Sequence, residues 1–592
     1  MPTMQMPLIK GSGKNPFVAD YVDLLAVNML AVQKEILNAG GYMRSFPGVG
    51  KVADVAGISR GCEFNTKQNV VYRTLGTKLY AAGAALDVDI PGSDRVSMAH
   101  SINSQGIAAD GKLLLYGYAS KALKTLDNWP ETETTQPGYE KTLSQWTFDP
   151  DGANGFYVPD EAHKGALTIT LTPTSNGGVV GESLSLTEQQ WNVPVSQTDP
   201  GDGKPWLTDV LVSGTKTSGT VVTLSWTYHG PGTDATEVVV TLKVEEIVTR
   251  YAQYEIGDVR DICHNRGRYV WVKDGSNTFG VTDLDDESHP DRNRPFYSTE
   301  SMPDELIGVE SWRDLVVCFG TRTIEYFSLT GSSAPTDPIY MSQPSLMVEV
   351  GIAGTHCKCA YGDAFAIISH VSCGAPSVYI IDSGSKKPIA TAAIEKILSN
   401  YPLDELATAV METVRFEAHE LLLIHLPRHV LCFDGAVSAD GPQWCVLKSG
   451  VESDIYRGVD FLHDGGTITL GDKREPITGR LDFSLASQYG DATELLLYTP
   501  LVKADNTTLF DFEIESAAGL AQRAERLFLS ATTDGSNYGR EQLINSNDTF
   551  RYDARVLWRQ VGRCRKNIGF RVRLITRTPA SLALCQIRGG NG

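Results

Sequence analysis

Seven hairpins of one design recur along the chain, and no other feature restricts its fold as much. They read NVVYRTLGTKLY from Asn69, KLLLYGYASKALKTL from Lys112, RYVWVKDGSNTFGVTDL from Arg268, DLVVCFGTRTIEYFSL from Asp314, AFAIISHVSCGAPSVYIID from Ala364, ELLLIHLPRHVLCFD from Glu420 and TITLGDKREPITGRLDFS from Thr467. Measured between Val70, Leu113, Tyr269, Leu315, Phe365, Leu421 and Thr467, the intervals are 43, 156, 46, 50, 56 and 46 residues. All but one lie in or just above the ~40–50 residues that a four-stranded propeller blade occupies. Each hairpin also follows a candidate innermost strand: ISRGCEFN, RVSMAHSI, VRDICHNR, LIGVES, GTHCKCAY, METVRFEA and YRGVDFL. Short β-branched strands punctuated by DG, RG and GD predict an all-β chain built on a β-propeller. The repeats do not align as a WD or kelch array, so seven blade-like units are expected and six stay open.

The one long interval predicts an inserted domain at 139–250. Its segments GALTITLTPT, ESLSLTE, TVVTLSWTYHG and ATEVVVTLKVEE alternate apolar with Thr, Ser and Lys, as a small β-sandwich with one solvated face does. Residues 1–138 then hold an N-terminal arm and the first blades, and 251–489 the remaining blades. From 490 to 592, six further strand-like runs predict a C-terminal β-sandwich. Helix is scarce: ATAAIEKILSNY, with Ile394, Ile397 and Leu398 on one face, is the best short helix, and 20–37 has only partial helical periodicity.

Charge divides the chain unevenly. Its 592 residues carry a formal charge of −19, which argues against a general nucleic-acid binder. From Leu520 onward there are 13 Lys and Arg against 5 acidic residues, so the C-terminal region is basic on an otherwise acidic chain. In GFRVRLIT, Phe570, Val572 and Leu574 share one strand face while Arg571 and Arg573 share the other. Arg563, Arg565 and Lys566 lie in the preceding turn region. These five form the candidate assembly interface, read either as a docking face for an acidic neighbour or as a solvated outer face.

Other motifs carry less. GSGK at 11–14 lacks the Walker spacing, with Leu8 where a Gly is needed and Asn15 for the Ser or Thr, and reads as a flexible arm. His419, His425 and His429 read as turn or strand histidines, and the His356, Cys357, Cys359 cluster lacks a second ligand pair. The acidic loop at 282–291 lacks a calcium loop's Gly and Glu and reads as solvated. SATTDGSNY at 530–538 departs from a sialidase Asp-box. No catalytic, cofactor or metal site is therefore expected. The ten cysteines read as buried and reduced. The stretch Leu24–Val32, broken by Asn28, is far too short for a membrane span, and MPTMQMPLIKGSGK shows no secretory signal.

GYMRSFPGVG (41–50), GISRGCEFN (57–65), NVVYRTLGTKLY (69–80) and DRVSMAHS (94–101) resemble the packaged-DNA stabilisation family of short-tailed phages. So do PIATAAIEKI, AHELLLIHLPRHVLCFDG with Trp444 beyond it, and RVLWRQVGRCR (555–565). The resemblance covers most of 1–135 and 255–592 and leaves the insertion out. It implies a non-enzymatic tail hub, or nozzle, in the virion, assembled in the host cytoplasm as a six-fold ring. Its implied partners are the portal adaptor (head-to-tail connector), the tail needle and the tailspikes, with DNA passing through unbound. An acidic surface suits such a conduit, because it repels phosphates. The alternatives are a carbohydrate-binding propeller, such as a receptor-binding protein or adhesin, and a propeller hydrolase.

Overall fold

The computed structural model describes residues 3–6, 8, 11–14, 21–36, 40–130, 140–148, 154–158, 166–175, 178–217, 220–230, 237–245, 252–302, 304–331, 337–437, 443–451, 455–518, 525–546 and 556–591. Two compact units emerge: Met1–Asn128 with Tyr254–Gly592, and Trp129–Gln253.

The first unit contains six antiparallel four-stranded sheets and a seventh antiparallel set of four strands that forms part of a larger sheet. We call them blades 1 to 7, starting at Ser59, Ser97, Val259, Leu306, Lys358, Val410 and Gly458. Their first strands coincide with the seven expected innermost segments. The first strands of blades 1 and 7 also pack on one another, which closes the ring. Second strands such as Arg268–Lys273 and His419–His425 lie between neighbouring blades, so their faces are both covered and their sequences run continuously apolar. The link from first to second strand in blade 3 is a tight turn with Arg266 (φ 49°) and Gly267 (φ 86°) both left-handed, the geometry two-residue hairpins require. In the same blade Gly280 lies under Trp271, where a Cβ would come within 2.1 Å of the indole.

Blade 7 is completed by the N-terminal strand Gly48–Asp54, which pairs with Ile477–Asp482. The described residues before it are not a flexible arm. Thr3–Met6, Met29–Val32 and Tyr42–Ser45 join Thr507–Ala518, Val556–Cys564 and Ser581–Asn591 in one sheet of the C-terminal sandwich. Met6, Leu8, Met29 and Met43 fill its core beside Phe512, Trp558 and Phe570. GSGK is a strand, Gly11–Lys14, paired with Tyr21–Leu24. The described part of 20–37 is extended, not helical. The expected sandwich at 490–592 therefore takes strands from both ends of the chain. Alternation within short runs showed these segments to be apolar but not where their partners lay.

Ala26–Val27 runs parallel to Gln443–Leu447, the last strand of blade 6, and Val27 pairs antiparallel with Leu496 of Thr493–Tyr498. Blade 6 thus continues into the second sandwich sheet, a ten-stranded sheet in all. Beside this splice Asn28, buried and left-handed (φ 54°), donates to the carbonyls of Lys448 (3.0 Å) and Glu494 (2.8 Å) and accepts from the Lys448 amide (2.8 Å). The short helix is Ala392–Ser399, with Ile394 and Leu398 buried.

The second unit is a two-sheet sandwich. Leu167–Ser175 lies between Glu237–Glu245 and the short Leu184–Thr187, and Glu140–Phe148 flanks Glu237–Glu245. Val221–His229 lies between Asn154–Tyr157 and Trp206–Ser213. Ile169, Leu171, Leu207, Leu224 and Val240 are fully buried, while Thr170 and Thr172 on the other face bond Ser185 and Ser183. The unit begins at Trp129 and ends at Gln253, wider than the expected 139–250. Where the first unit breaks for it, the Asn128 side chain bonds both the carbonyl (2.9 Å) and the amide (3.0 Å) of Tyr254.

Candidate assembly surface and charged axis

The five basic residues singled out in the sequence fall into two environments. Arg563, Arg565 and Lys566 are exposed at the turn between Val556–Cys564 and Asn567–Thr576, and make no ion pair among the described residues. Arg571 and Arg573 do share a face, but their charge is answered within the chain. Arg571 pairs with Glu541 at 3.0 Å, and Arg573 pairs with Glu541 and, at 3.4 Å, with Glu494, which is 6% exposed. The two guanidinium groups also lie over the rings of Tyr538 (4.9 Å) and Phe528 (4.2 Å). The free charge of this region is at the turn.

The propeller axis holds a second concentration of charge, which the sequence reading missed. Every first strand contributes a titratable side chain: Glu63, His100, Asp261, Glu310, Lys358, Glu412 and Asp460. Asp460 accepts two bonds from Arg95 (2.6 and 3.0 Å) and one from Ser59 (2.6 Å), while Arg73 donates to its carbonyl. Burial opposes ionisation of Asp460, but Arg95, Ser59 and Arg73 outweigh it and hold its pKa down at about 2. Lys358 bridges Asp261 (3.1 Å) and Glu310 (3.5 Å), tying blades 3, 4 and 5. Burial works against its charge; the two carboxylates overcome that and raise its pKa. Glu63 pairs with His100 at 2.6 Å. Buried charges are tolerated only when paired in this way. The signal was present in strands such as VRDICHN, whose single acid sits beside Ile262 and Cys263.

The remaining motifs resolve into local structure. His419 pairs with Asp434 (2.6 Å), His425 with Glu412, and His429 with Tyr401 (2.6 Å). The Cys357 thiol donates to the carbonyls of Leu406 and Ala409. The acidic loop is not simply solvated: Asp283 and Asp291 are buried, paired with Arg292 (3.1 Å) and Arg268 (2.7 Å). Asp534 in SATTDGSNY accepts the amides of Ser536 and Asn537, a side-chain-capped turn. All ten cysteines are free thiols, Cys373 alone exposed. Among the described residues no group of His, Cys, Asp and Glu is arranged to hold a metal, and no helix is long and apolar enough to cross a membrane.

Comparison with known proteins extends over the whole chain. The family model for the β-propeller of Bacteriophage P22 Gp10 matches residues 4–158 and 177–486, and that for the Gp10 β-sandwich matches 494–590. The tail hub protein gp10 of Salmonella phage P22 is 46% identical over 588 residues, covering 99% of this chain and 100% of that protein. The match runs through the inserted unit, which the sequence resemblance had left out. Among solved structures, PorZ of Porphyromonas gingivalis is 10% identical with a TM-score of 0.29, over 84% of this chain and 46% of that one. An exo-β-1,3-galactanase of Phanerochaete chrysosporium is 9% identical with a TM-score of 0.21, over 74% and 100%. Likenesses that weak carry no argument.

Proposed function

Because the chain belongs to the P22 Gp10 family of phage tail hub proteins, in its propeller and its sandwich alike, we propose that it forms a six-fold nozzle ring that extends the portal channel and retains packaged DNA. The role is structural, in the virion tail, and not enzymatic; a carbohydrate-binding propeller is not favoured. The observation that carries the reading is identity at 46% from end to end of a tail hub protein. In this reading the portal adaptor, the tail needle and the tailspikes are its neighbours, and assembly takes place in the host cytoplasm.

The geometry supports a ring rather than a single threaded subunit. On the innermost strands Asp261 and Asp460 are at most 4% exposed, and Lys358 bridges Asp261 to Glu310, so ionic side chains meet at the propeller axis. A duplex therefore passes beside each subunit, along a channel that copies enclose together. The net charge of −19 repels the phosphates of DNA in transit. The exposed turn of Arg563, Arg565 and Lys566 supplies a cationic contact for an acidic neighbour. Particles made without this chain should package DNA and then lose it, and the chain supplied in trans should restore retention. Full retention without the chain, or tails whose images lack a six-fold ring at the nozzle, would refute the proposal.

A further inference from the structure

At the end of the propeller axis where the innermost strands begin, blades 1, 2, 6 and 7 surround a cavity of about 510 Å³. Arg60, Arg95, Arg457, Lys473 and Arg474 line it, with no Asp or Glu among the described lining residues. That is unusual in an acidic chain, and the neighbouring cavity over blades 2 to 4 is the opposite, lined by Asp94, Asp110, Asp258, Asp274 and Glu305 with two arginines. The other half of the cationic cavity is apolar, formed by Ile58, Val410, Ile455 and Val459. Two lining donors, the Arg95 Nε and the Tyr456 hydroxyl, are buried without an acceptor among the described residues. Among the described residues the Lys473 ammonium has no carboxylate within ion-pair distance; it meets His425 Nδ1 (2.7 Å) and the Tyr456 carbonyl (3.3 Å). Buried donors left this way are costly unless an acceptor arrives.

We propose that this cavity is a binding site for a carboxylate carried on an apolar arm, supplied by an acidic segment of a partner protein. Arg95 and Arg457 are already paired with Asp460 and Asp472, so Lys473 and the two orphan donors take the carboxylate, and the aliphatic wall takes the side chain beside it. A bare phosphate, or the backbone of DNA, would leave that wall wet, so the apolar half decides between the anions. The inference goes beyond the tail hub assignment and stands apart from it, because it concerns binding by the isolated chain.

The test is fluorine NMR of trifluorohexanoate titrated with the full-length protein at pH 6, where Lys473 carries its proton. Saturable broadening is expected. It should weaken about tenfold in Lys473→Met, which loses one charge-assisted contact, and measurably in Tyr456→Phe, which keeps the ring and removes only the hydroxyl. The matching alcohol should not bind, and inorganic phosphate should not displace the probe. Absence of binding to the wild type, wild-type affinity in both variants, equal binding of the alcohol, or displacement by phosphate would each overturn the proposal.

Discussion

Arg571 and Arg573 carry a lesson about reading charge from strand alternation. The alternation placed them on one face, as the structure does, but could not show that Glu494 and Glu541 lie beneath that face. Reversing both arginines leaves a nearly buried carboxylate without its cation, so Arg571→Glu with Arg573→Glu should cost about 2–4 kcal/mol in urea unfolding. Arg563→Glu with Arg565→Glu and Lys566→Glu changes exposed side chains and should stay within about 0.5 kcal/mol of wild type, while blocking addition to the tail. A triple variant that assembles normally would remove the turn from the interface. Lys473 makes a separate prediction. Burial, aided by Arg95, outweighs Glu412, Asp460 and Asp472 and lowers its pKa from 10.5 to about 7. Between those values the unfolded chain holds a proton that the folded chain has released, so this residue makes stability rise with pH across that window and fall as pH drops back to 7. Lys473→Met should therefore be more stable than wild type at pH 7, with the advantage shrinking by about 2 kcal/mol towards pH 9. An advantage that is flat with pH would mean that Lys473 titrates at its ordinary value.

Asn28 decides whether propeller and sandwich behave as one element or two. In the sheet, Ala26–Val27 connects the last strand of blade 6 to the sandwich strands, and a two-residue strand is weak without support. Asn28 supplies it with three buried hydrogen bonds, in a left-handed conformation that Asn tolerates better than most residues. Asn28→Ala removes all three and should cost about 2–4 kcal/mol. It should also split the urea transition in two, read by tryptophan fluorescence: Trp444 reports on blade 6 and Trp558 on the sandwich. A single, unshifted transition would show that the splice needs no clamp. The blades themselves were legible in the sequence because each is local: four strands in about 45 residues, with a repeat that betrays the unit. The sandwich was legible only in its C-terminal half. Its other strands, such as Thr3–Met6 and Tyr42–Ser45, lie more than 450 residues from their partner Ser581–Asn591, and apolar alternation has no way to name a partner so remote. The charged axis stayed hidden for the same reason, since Asp261, Glu310 and Lys358 meet only after three blades have closed.

The molecule as a whole is closed by its own ends. Gly48–Asp54 completes blade 7, and Thr3–Met6, Met29–Val32 and Tyr42–Ser45 complete the sandwich, so the N-terminal strands Thr3–Met6, Tyr42–Ser45 and Gly48–Asp54 are held by strands from the C-terminal part of the chain. The inserted unit, in contrast, departs after Asn128 and returns at Tyr254, whose backbone the Asn128 side chain clasps. Two consequences follow from that topology. Replacing 129–253 with a short Gly/Ser linker should leave a soluble β-rich protein, because the ends to be joined are already held together. More decisively, cutting the chain once inside the inserted unit should not release the N-terminal piece. That piece supplies blades 1 and 2, the closing strand of blade 7 and half a sheet of the sandwich, and its Arg73 and Arg95 are bound to Asp460 across the blade 1–7 seam. The buried apolar surface in those contacts far exceeds what chain continuity adds, since restoring one covalent link changes mainly the loop-closure entropy. After a protease cut within 129–253, the two fragments should co-elute by size exclusion in native buffer and separate only in urea, at a concentration close to the unfolding midpoint of the intact chain. Fragments that part in native buffer would show that the termini merely touch the ring, and that the propeller is held shut by the continuity of its chain.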